Sequence, residues 1–258
     1  MVKEKLTLIK VGGKIVEEEE SLHSLLDDFS KVYGNKILVH GGGRSATALA
    51  SRMGIESKMV EGRRITDREM LKIVTMVYAG WVNKQIVAKL QSRSVNALGL
   101  CGADLDAVFS QKRPVKEIDY GYVGDVKEVN GEILSKLITN GIVPIVAPIT
   151  HDREGNLLNT NADTMAGEIA KGLVPYFSVS LVYCFEKKGV LQREDDEDSV
   201  IHTLTPESYY DFKAKGIITG GMIPKVENAL KALEAGVSEI IITHSSDLKG
   251  ERGTRICK

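Results

Sequence analysis

The chain has 258 residues, enough to bury a sizeable core in one large α/β domain or in two lobes sharing a sheet. Hydrophobic residues make up 43% and charged ones 27%, which excludes a disordered or fibrous protein. The formal net charge of −1, from 34 basic and 35 acidic residues, excludes a global field drawing the chain to nucleic acid or to an anionic membrane.

In chain order, residues 6–11 read as a strand, 21–33 as a helix, 36–40 as a strand and 45–53 as a helix. An unusually long helix is expected over 67–90, opened by a capping box, Thr66-x-x-Glu69. Its apolar positions Ile73, Val74, Val77, Trp81, Ile86 and Leu90 suit a dimer surface or a core equally well. Residues 97–100 read as a strand. Residues 106–130, with Pro114, Tyr120, Gly121, Tyr122 and Gly124, read as an inserted β-hairpin. Helices follow at 131–140 and 162–173, strands at 142–147 and 179–183, a polar loop at 186–200, a helix at 222–235 and a strand at 239–243. The strands are nearly continuously apolar and alternate with helices, which predicts a three-layer αβα sandwich around a central, mainly parallel sheet. No run approaches the roughly 18 apolar residues of a membrane span. The acidic residues after the first apolar run are unlike a signal peptide, so a cytoplasmic location is expected.

Four clusters fall where α/β enzymes keep their sites, at the carboxyl ends of strands. Lys10-Val11-Gly12-Gly13-Lys14 ends the first strand, where glycines let backbone N–H groups approach an anion and Lys10 sets an ammonium beside it. A tight turn with a surface lysine would look the same. His40-Gly41-Gly42-Gly43-Arg44 joins a strand to a helix and so offers free N–H groups to an anion. It is not a Walker A loop, and the lipase-type use of H-G-G-G requires a G-x-S-x-G elbow that the chain lacks. His40 itself reads as a packing residue. Gly62-Arg63-Arg64-Ile65-Thr66 puts two guanidinium groups before the long helix, suited to a carboxylate or simply to solvent. Asn159-Thr160-Asn161-Ala162-Asp163 and Gly220-Gly221-Met222-Ile223-Pro224-Lys225 each lead into a helix, with Asp163 and Lys225 the chemically capable members. Two cradles, two lysines and an acid make a set suited to phosphoryl transfer, in which positioning and charge stabilisation do most of the catalysis. Cys101, Cys184 and Cys257, odd in number and far apart, favour neither disulfides nor a metal site.

From K-V-G-G through H-G-G-G, G-R-R-I-T, N-x-N-A-D and G-G-M-I-P-K-V to G-T-R-I, the series resembles the amino-acid kinase family, and within it the members that act on N-acylated glutamate. The resemblance implies a mainly parallel sheet of about eight strands. It implies an N-terminal lobe, about residues 1–173, binding the acyl amino acid and forming the dimer, and a C-terminal lobe, about 174–258, binding ATP. It further implies ATP-dependent phosphorylation of the γ-carboxylate of N-acetyl-L-glutamate, with Mg²⁺ riding on the ATP phosphates and no dedicated protein metal site.

Position by position, Lys10 and Lys225 match the lysines acting on the transferring group and on the ATP side, and Asp163 the acid holding both. Gly12 and Gly13 match donors to the phosphoryl group and Gly42 and Gly43 backbone contacts to the substrate. Arg64 matches the grip on the α-carboxylate and Asn159 the grip on the acylamino group. Glu186, Lys187, Lys188, Gly189, Val190 and Leu191, with Ile217, Ile218 and Thr219, match the nucleotide segments. The chain departs from the family's L-[ST]-D-V-x-G-V at residues 182–190. Basic residues near 56–64 suit an extra carboxylate, so N-succinyl-L-glutamate stands as an alternative acceptor. Another kinase of the same fold and a non-catalytic sensor are further alternatives. With the first strand beginning by about residue 6, a homodimer without arginine feedback is expected.

Overall fold

The computed structural model describes residues 2–60, 62–193, 195–220 and 222–258; Gly221, part of the turn expected before the last long helix, lies outside them. The first third comprises β1 (Lys5–Val11), α1 (Gly13–Glu17), α2 (Glu19–Lys31), β2 (Asn35–His40), α3 (Gly43–Arg52), a hairpin of β3 (Met59–Val60) and β4 (Arg63–Arg64), α4 (Arg68–Thr75), a π-helix (Met76–Val82) and α5 (Asn83–Gln91). The middle comprises β5 (Ala97–Cys101), β6 (Val108–Lys112), β7 (Gly124–Val129), α6 (Gly131–Thr139), β8 (Val143–Ala147), β9 (Ile149–His151), β10 (Leu157–Asn159) and α7 (Ala162–Leu173). Then come β11 (Ser178–Phe185), β12 (Thr203–Leu204), α8 (Pro206–Ala214), α9 (Met222–Glu234), β13 (Glu239–His244) and β14 (Thr254–Ile256).

Eight strands form one sheet in the order β12-β14-β13-β11-β1-β2-β8-β5. The pairs from β13 to β5 are parallel, and β14 lies antiparallel to β13. Successive side chains of a strand face opposite ways, so β1 feeds two cores. Leu6 and Leu8 join a core with α7 and α9 residues such as Met165 and Val226, whereas Ile9 and Val11 join one with Leu26 of α2 and Ile73 of α4. The result is the αβα sandwich that the β-α alternation predicts, with a four-stranded sheet, β10-β9-β6-β7, added beside it. The expected inserted hairpin is β6–β7, antiparallel, and it is half of that second sheet. Among the described residues no helix is long and apolar enough to cross a membrane.

Local signals were misleading in three places. The helix over 67–90 is interrupted by the π-helix, and the helix expected to begin at 21 is preceded by α1, from which it is separated by Glu18 in an extended conformation. Thr66 does not cap α4. The N-cap is Asp67, whose carboxylate accepts from the Met70 amide at 2.8 Å. Thr66 is held one residue too early for that role, because its amide donates to Tyr120 O and its carbonyl accepts from Tyr122 N. Of the six apolar positions singled out on this helix, Ile73, Val74, Val77, Ile86 and Leu90 are core, and Trp81 is exposed. Replacing Asp67 by Ala is expected to lower stability by about 1 kcal/mol, the usual worth of an N-cap, read as a lower urea midpoint at an unchanged slope, while Thr66→Ala leaves the α4 cap intact.

Candidate active site

The carboxyl ends of β1, β2 and β11 lie level, with Val11 opposite both His40 and Cys184. The strand order reverses there, which is where open α/β sheets form a crevice. β1 and β2 each then run into a glycine turn that opens a helix, Gly12-Gly13 into α1 and Gly41-Gly42-Gly43 into α3. The turns face one another. A Cβ built on Gly13 would stand 3.4 Å from the backbone nitrogens of both Gly42 and Gly43. Helix-opening amides have no partner within their helix, so the gap is edged by donors and has room for an anion only while residue 13 lacks a side chain. The Glu17 carboxylate, at the end of α1, accepts from Ser45 N in the first turn of α3 at 2.6 Å and ties the two units together.

Beside this gap stand the charges. Lys10, the penultimate residue of β1, reaches Asp163 Oδ1 at 2.6 Å, and Lys225, in the first turn of α9, reaches Oδ2 at 3.4 Å. Asp163 is positioned by α7, whose N-cap Asn161 accepts from Thr164 N at 3.0 Å. Burial on its own would push the Asp163 carboxyl up, but the two ammonium groups outweigh it and hold the group below the ordinary carboxylate range. Lys10 is 9% exposed and Lys225 26%, so the second lysine is the one facing the open side. An open cavity of about 710 Å³ reaches from these lysines past Lys14 and Arg44 to Phe185 and Glu186.

A smaller cavity of about 160 Å³ adjoins it and shares Gly41–Gly43, Met59 and Arg64. Arg64 Nη2 donates to Gly43 O at 2.8 Å and to Thr47 Oγ1 at 3.0 Å, Nη1 donates to Ser57 Oγ, and the buried Nε has no partner. Asn159 Nδ2 donates to Thr66 Oγ1 at 2.9 Å, and that hydroxyl donates to Arg64 O at 2.9 Å. Burial pushes the Tyr78 hydroxyl up despite Arg64 beside it, so the phenol on the wall of this cavity stays protonated.

Lys10, Gly12, Gly13, Gly42, Gly43, Arg64, Asn159, Asp163 and Lys225 therefore converge around two joined cavities. The segments assigned to nucleotide are spread more widely. Glu186 lines the open cavity, 3.8 Å from Arg44, and Lys188 pairs with Asp198 at 2.6 Å. Gly189 and Val190 are buried, with Val190 N donating to Thr254 Oγ1 at 2.8 Å, and Ile218 is core, so any nucleotide contact at these positions has to come from backbone. Leu191 bridges to Val200, Ile217 is half-buried and Thr219 is exposed ahead of α9. Sequence reasoning missed the site roles of Thr66, Tyr78, Lys14 and Glu17. Thr66 matches a helix-cap pattern that hides its other role, and Tyr78 carries no local signal because a π-turn decides where it points. The three cysteines are free, and burial pushes the Cys184 thiol up to about 12, which leaves it inert.

A cleft with paired lysines on one buried acid, facing glycine turns and an adjoining arginine pocket, is built to bring two anions together. Residues 5–244 match the model of the amino acid kinase family, and the chain belongs to that family. It is 63% identical to an acetylglutamate kinase of Phocaeicola vulgatus, with all of both chains covered, and 45% identical to one of Methanopyrus kandleri over 96% of this chain and 99% of that one. Among solved structures, smu.665 from Streptococcus mutans superposes with a TM-score of 0.81 at 28% identity, covering 97% of this chain and 98% of the other. A carbamate kinase from Giardia lamblia bound to AMP-PNP shares the fold at 16% identity, TM-score 0.73, with complete coverage of both chains.

Asp163→Asn leaves two ammonium groups facing each other without their carboxylate, and breaking such a shared pair costs about 3 kcal/mol. Because the folded carboxyl sits below its unfolded value, its contribution is present above about pH 4 and is lost as pH falls through the folded value. The wild type is expected to lose stability more steeply than Asp163→Asn on acidification below about pH 4, as measured by urea unfolding across pH.

Proposed function

We propose that the chain transfers the γ-phosphoryl group of ATP to the γ-carboxylate of N-acetyl-L-glutamate, giving the acyl phosphate and ADP, the second step of arginine biosynthesis. The observation that carries this reading is the pair of joined cavities: Arg64 and Asn159 on one side, Lys225 on the other, and the Gly13–Gly42–Gly43 gap with Lys10 between them. The full-length relatives named acetylglutamate kinase support the choice of acceptor.

The acceptor's γ-carboxyl has an ordinary pKa of about 4.3, so at neutral pH it is an anion and attacks without a general base. One carboxylate oxygen bonds to the γ-phosphorus as the β,γ-bridging P–O bond breaks, and the electron pair leaves on ADP. The obstacle is repulsion between carboxylate and triphosphate. Lys10 offsets it at the transferring group and Lys225 on the nucleotide side, while Gly13, Gly42 and Gly43 offer fixed N–H donors; the Gly12 N–H expected among them instead donates to Cys184 O at 3.0 Å and holds the turn on β11. Arg64 takes the α-carboxylate, with its unpartnered Nε in reserve, and Asn159 the acylamino group. Glu186–Leu191 and Ile217–Thr219 flank the nucleotide, dividing an acyl amino acid lobe of about residues 1–173 from a nucleotide lobe of about 174–258. Among the described residues no three His, Cys, Asp or Glu side chains converge on a metal site, and Asp163 is engaged by both lysines. Mg²⁺ is expected as a partner of the ATP phosphates, where it would neutralise part of their charge. A cytoplasmic location suits a metabolic kinase of this kind.

A homodimer is the expected assembly. Met76 and Trp81 of the π-helix are 50% and 65% exposed, and Leu98 on edge strand β5, which packs against that helix, is 38% exposed. Apolar side chains grouped in this way suit a self-complementary two-fold contact. Trp81→Glu is expected to convert a dimer into a monomer in sedimentation velocity, and a wild type that sediments as a monomer or a hexamer counts against the assembly.

The activity test is hydroxylamine trapping of the acyl phosphate with ATP and Mg²⁺. N-acetyl-L-glutamate is expected to give hydroxamate in preference to N-succinyl-L-glutamate and L-glutamate, and Lys10→Ala to reduce the rate by about a hundredfold or more while remaining folded. No hydroxamate from any of the three acceptors, or full turnover in Lys10→Ala, overturns the reading.

A further inference from the structure

His40 and Asn83 are fully buried polar side chains for which the reaction has so far had no use. Asn83 is the first residue after the π-helix. Its Nδ2 donates to Ile145 O at 2.8 Å, which fixes the orientation of the amide, and the same nitrogen lies 3.0 Å from His40 Nε2. An amide nitrogen only donates, so Nε2 presents its lone pair and the imidazole proton is on Nδ1. Nδ1 in turn lies 2.8 Å from Gly41 O, which only accepts. Both contacts select the same tautomer, and burial, which lowers the imidazole to about 4, keeps the ring neutral at working pH.

The Gly41 carbonyl and the Gly42 N–H belong to one planar trans peptide and point in opposite directions. Anchoring the carbonyl on His40 therefore turns the Gly42 N–H away from the core. Gly42 N is one of the two nitrogens edging the gap opposite Gly13. The Tyr78 ring braces the same glycine, since a Cβ there would lie 2.9 Å from Tyr78 Cδ1. Asn83 is wedged as well, because a Cβ on Gly99 would fall 2.0 Å from its Oδ1. Bonding of the i→i+5 type brings residues five apart above one another, so the π-helix turns both Tyr78 and Asn83 toward the glycine turn.

We propose that His40 and Asn83 are positioning residues: Asn83 fixes the His40 tautomer, His40 fixes the Gly41–Gly42 peptide, and the Gly42 N–H is thereby held at the phosphoryl side of the site. The role rests on the kinase reading above, whereas the tautomer stands apart from it.

Two substitutions separate positioning from packing. His40→Asn places an amide nitrogen near the Nδ1 position and keeps a donor to Gly41 O, while His40→Gln places its amide oxygen near Nε2, where it accepts from Asn83 Nδ2, and leaves Gly41 O without its donor. His40→Asn is expected to retain kcat within about threefold and His40→Gln to lose about tenfold or more, at similar thermal midpoints and with KM for ATP unchanged. Equal kcat in the two variants, or losses that track the folded fraction, overturns the proposal. If neither variant folds, the wild type decides by long-range proton–nitrogen NMR on labelled protein, where the His40 ring, held neutral by burial, reports its tautomer directly. The Nδ1–H form supports the relay and the Nε2–H form overturns it. Absence of hydroxamate from the wild type would sink the kinase reading and leave the tautomer result standing.

Discussion

Two ammonium groups aimed at the same place repel each other, and a buried site strengthens that repulsion because little water is present to screen it. Asp163 is what allows Lys10 and Lys225 to share a cleft, with one carboxylate oxygen turned to each. The three residues arrive from β1, α7 and α9, so the contact draws together elements from both ends of the chain. It also fixes where α7 crosses the sheet, since that helix packs on β1, β2 and β11. The arrangement leaves a net positive charge of one beside an anion-sized gap. That is an unfavourable arrangement for an empty pocket and a suitable one for a phosphoryl group in transit.

The residues that contact anions divide into side chains and backbone for a physical reason. A lysine supplies a full charge but must be held still, which here takes a buried acid. A glycine amide supplies a partial charge and is held by the fold itself, provided that nothing occupies the space in front of it. The Gly13 turn faces the Gly42–Gly43 turn closely enough that a single Cβ would fill the gap. Geometry of this kind depends on the orientation of individual peptides, and hydrogen-bonding groups lie behind the glycine turns to set it: the buried His40 ring and the half-buried Glu17 carboxylate.

Much of the architecture was legible because it follows from periodicity. The six apolar runs expected as strands are β1, β2, β5, β8, β11 and β13, the parallel body of the sheet, each within a residue or two of its expected ends. The elements that carry no legible signal are short, polar or dependent on tertiary contacts. β12, at the sheet edge, has two residues and β14, beside it, three; β9 and β10 are three residues each, and α8 has only Tyr209 fully buried. The glycine turns and the charged residues were legible because strand ends in an α/β sheet make their own crevice. The π-helix was not, because its sequence, MVYAGWV, is ordinary and only the packing of Tyr78 and Asn83 reveals it. Thr66 shows the opposite failure: a strong local pattern yielded to backbone bonds with Tyr120 and Tyr122, and its hydroxyl was freed to link Arg64 to Asn159.

Polar burial is unevenly distributed along the sheet, and that distribution separates stability from chemistry. Leu6 and Leu8 of β1, Ile37 of β2 and Val179 and Leu181 of β11 are wholly buried and apolar, away from the carboxyl edge. At that edge the same strands carry Lys10 and His40, with Arg64, Thr66, Asn83 and Asn159 packed around them. Each of these costs desolvation that its hydrogen bonds only partly return, and Arg64 Nε and Asn83 Oδ1 have no partner at all. Two apolar cores on opposite faces of the sheet offset that cost. The cleft is therefore free to hold charges and orphaned donors that a structure selected for stability alone would remove, and those same groups are the ones able to meet two anions.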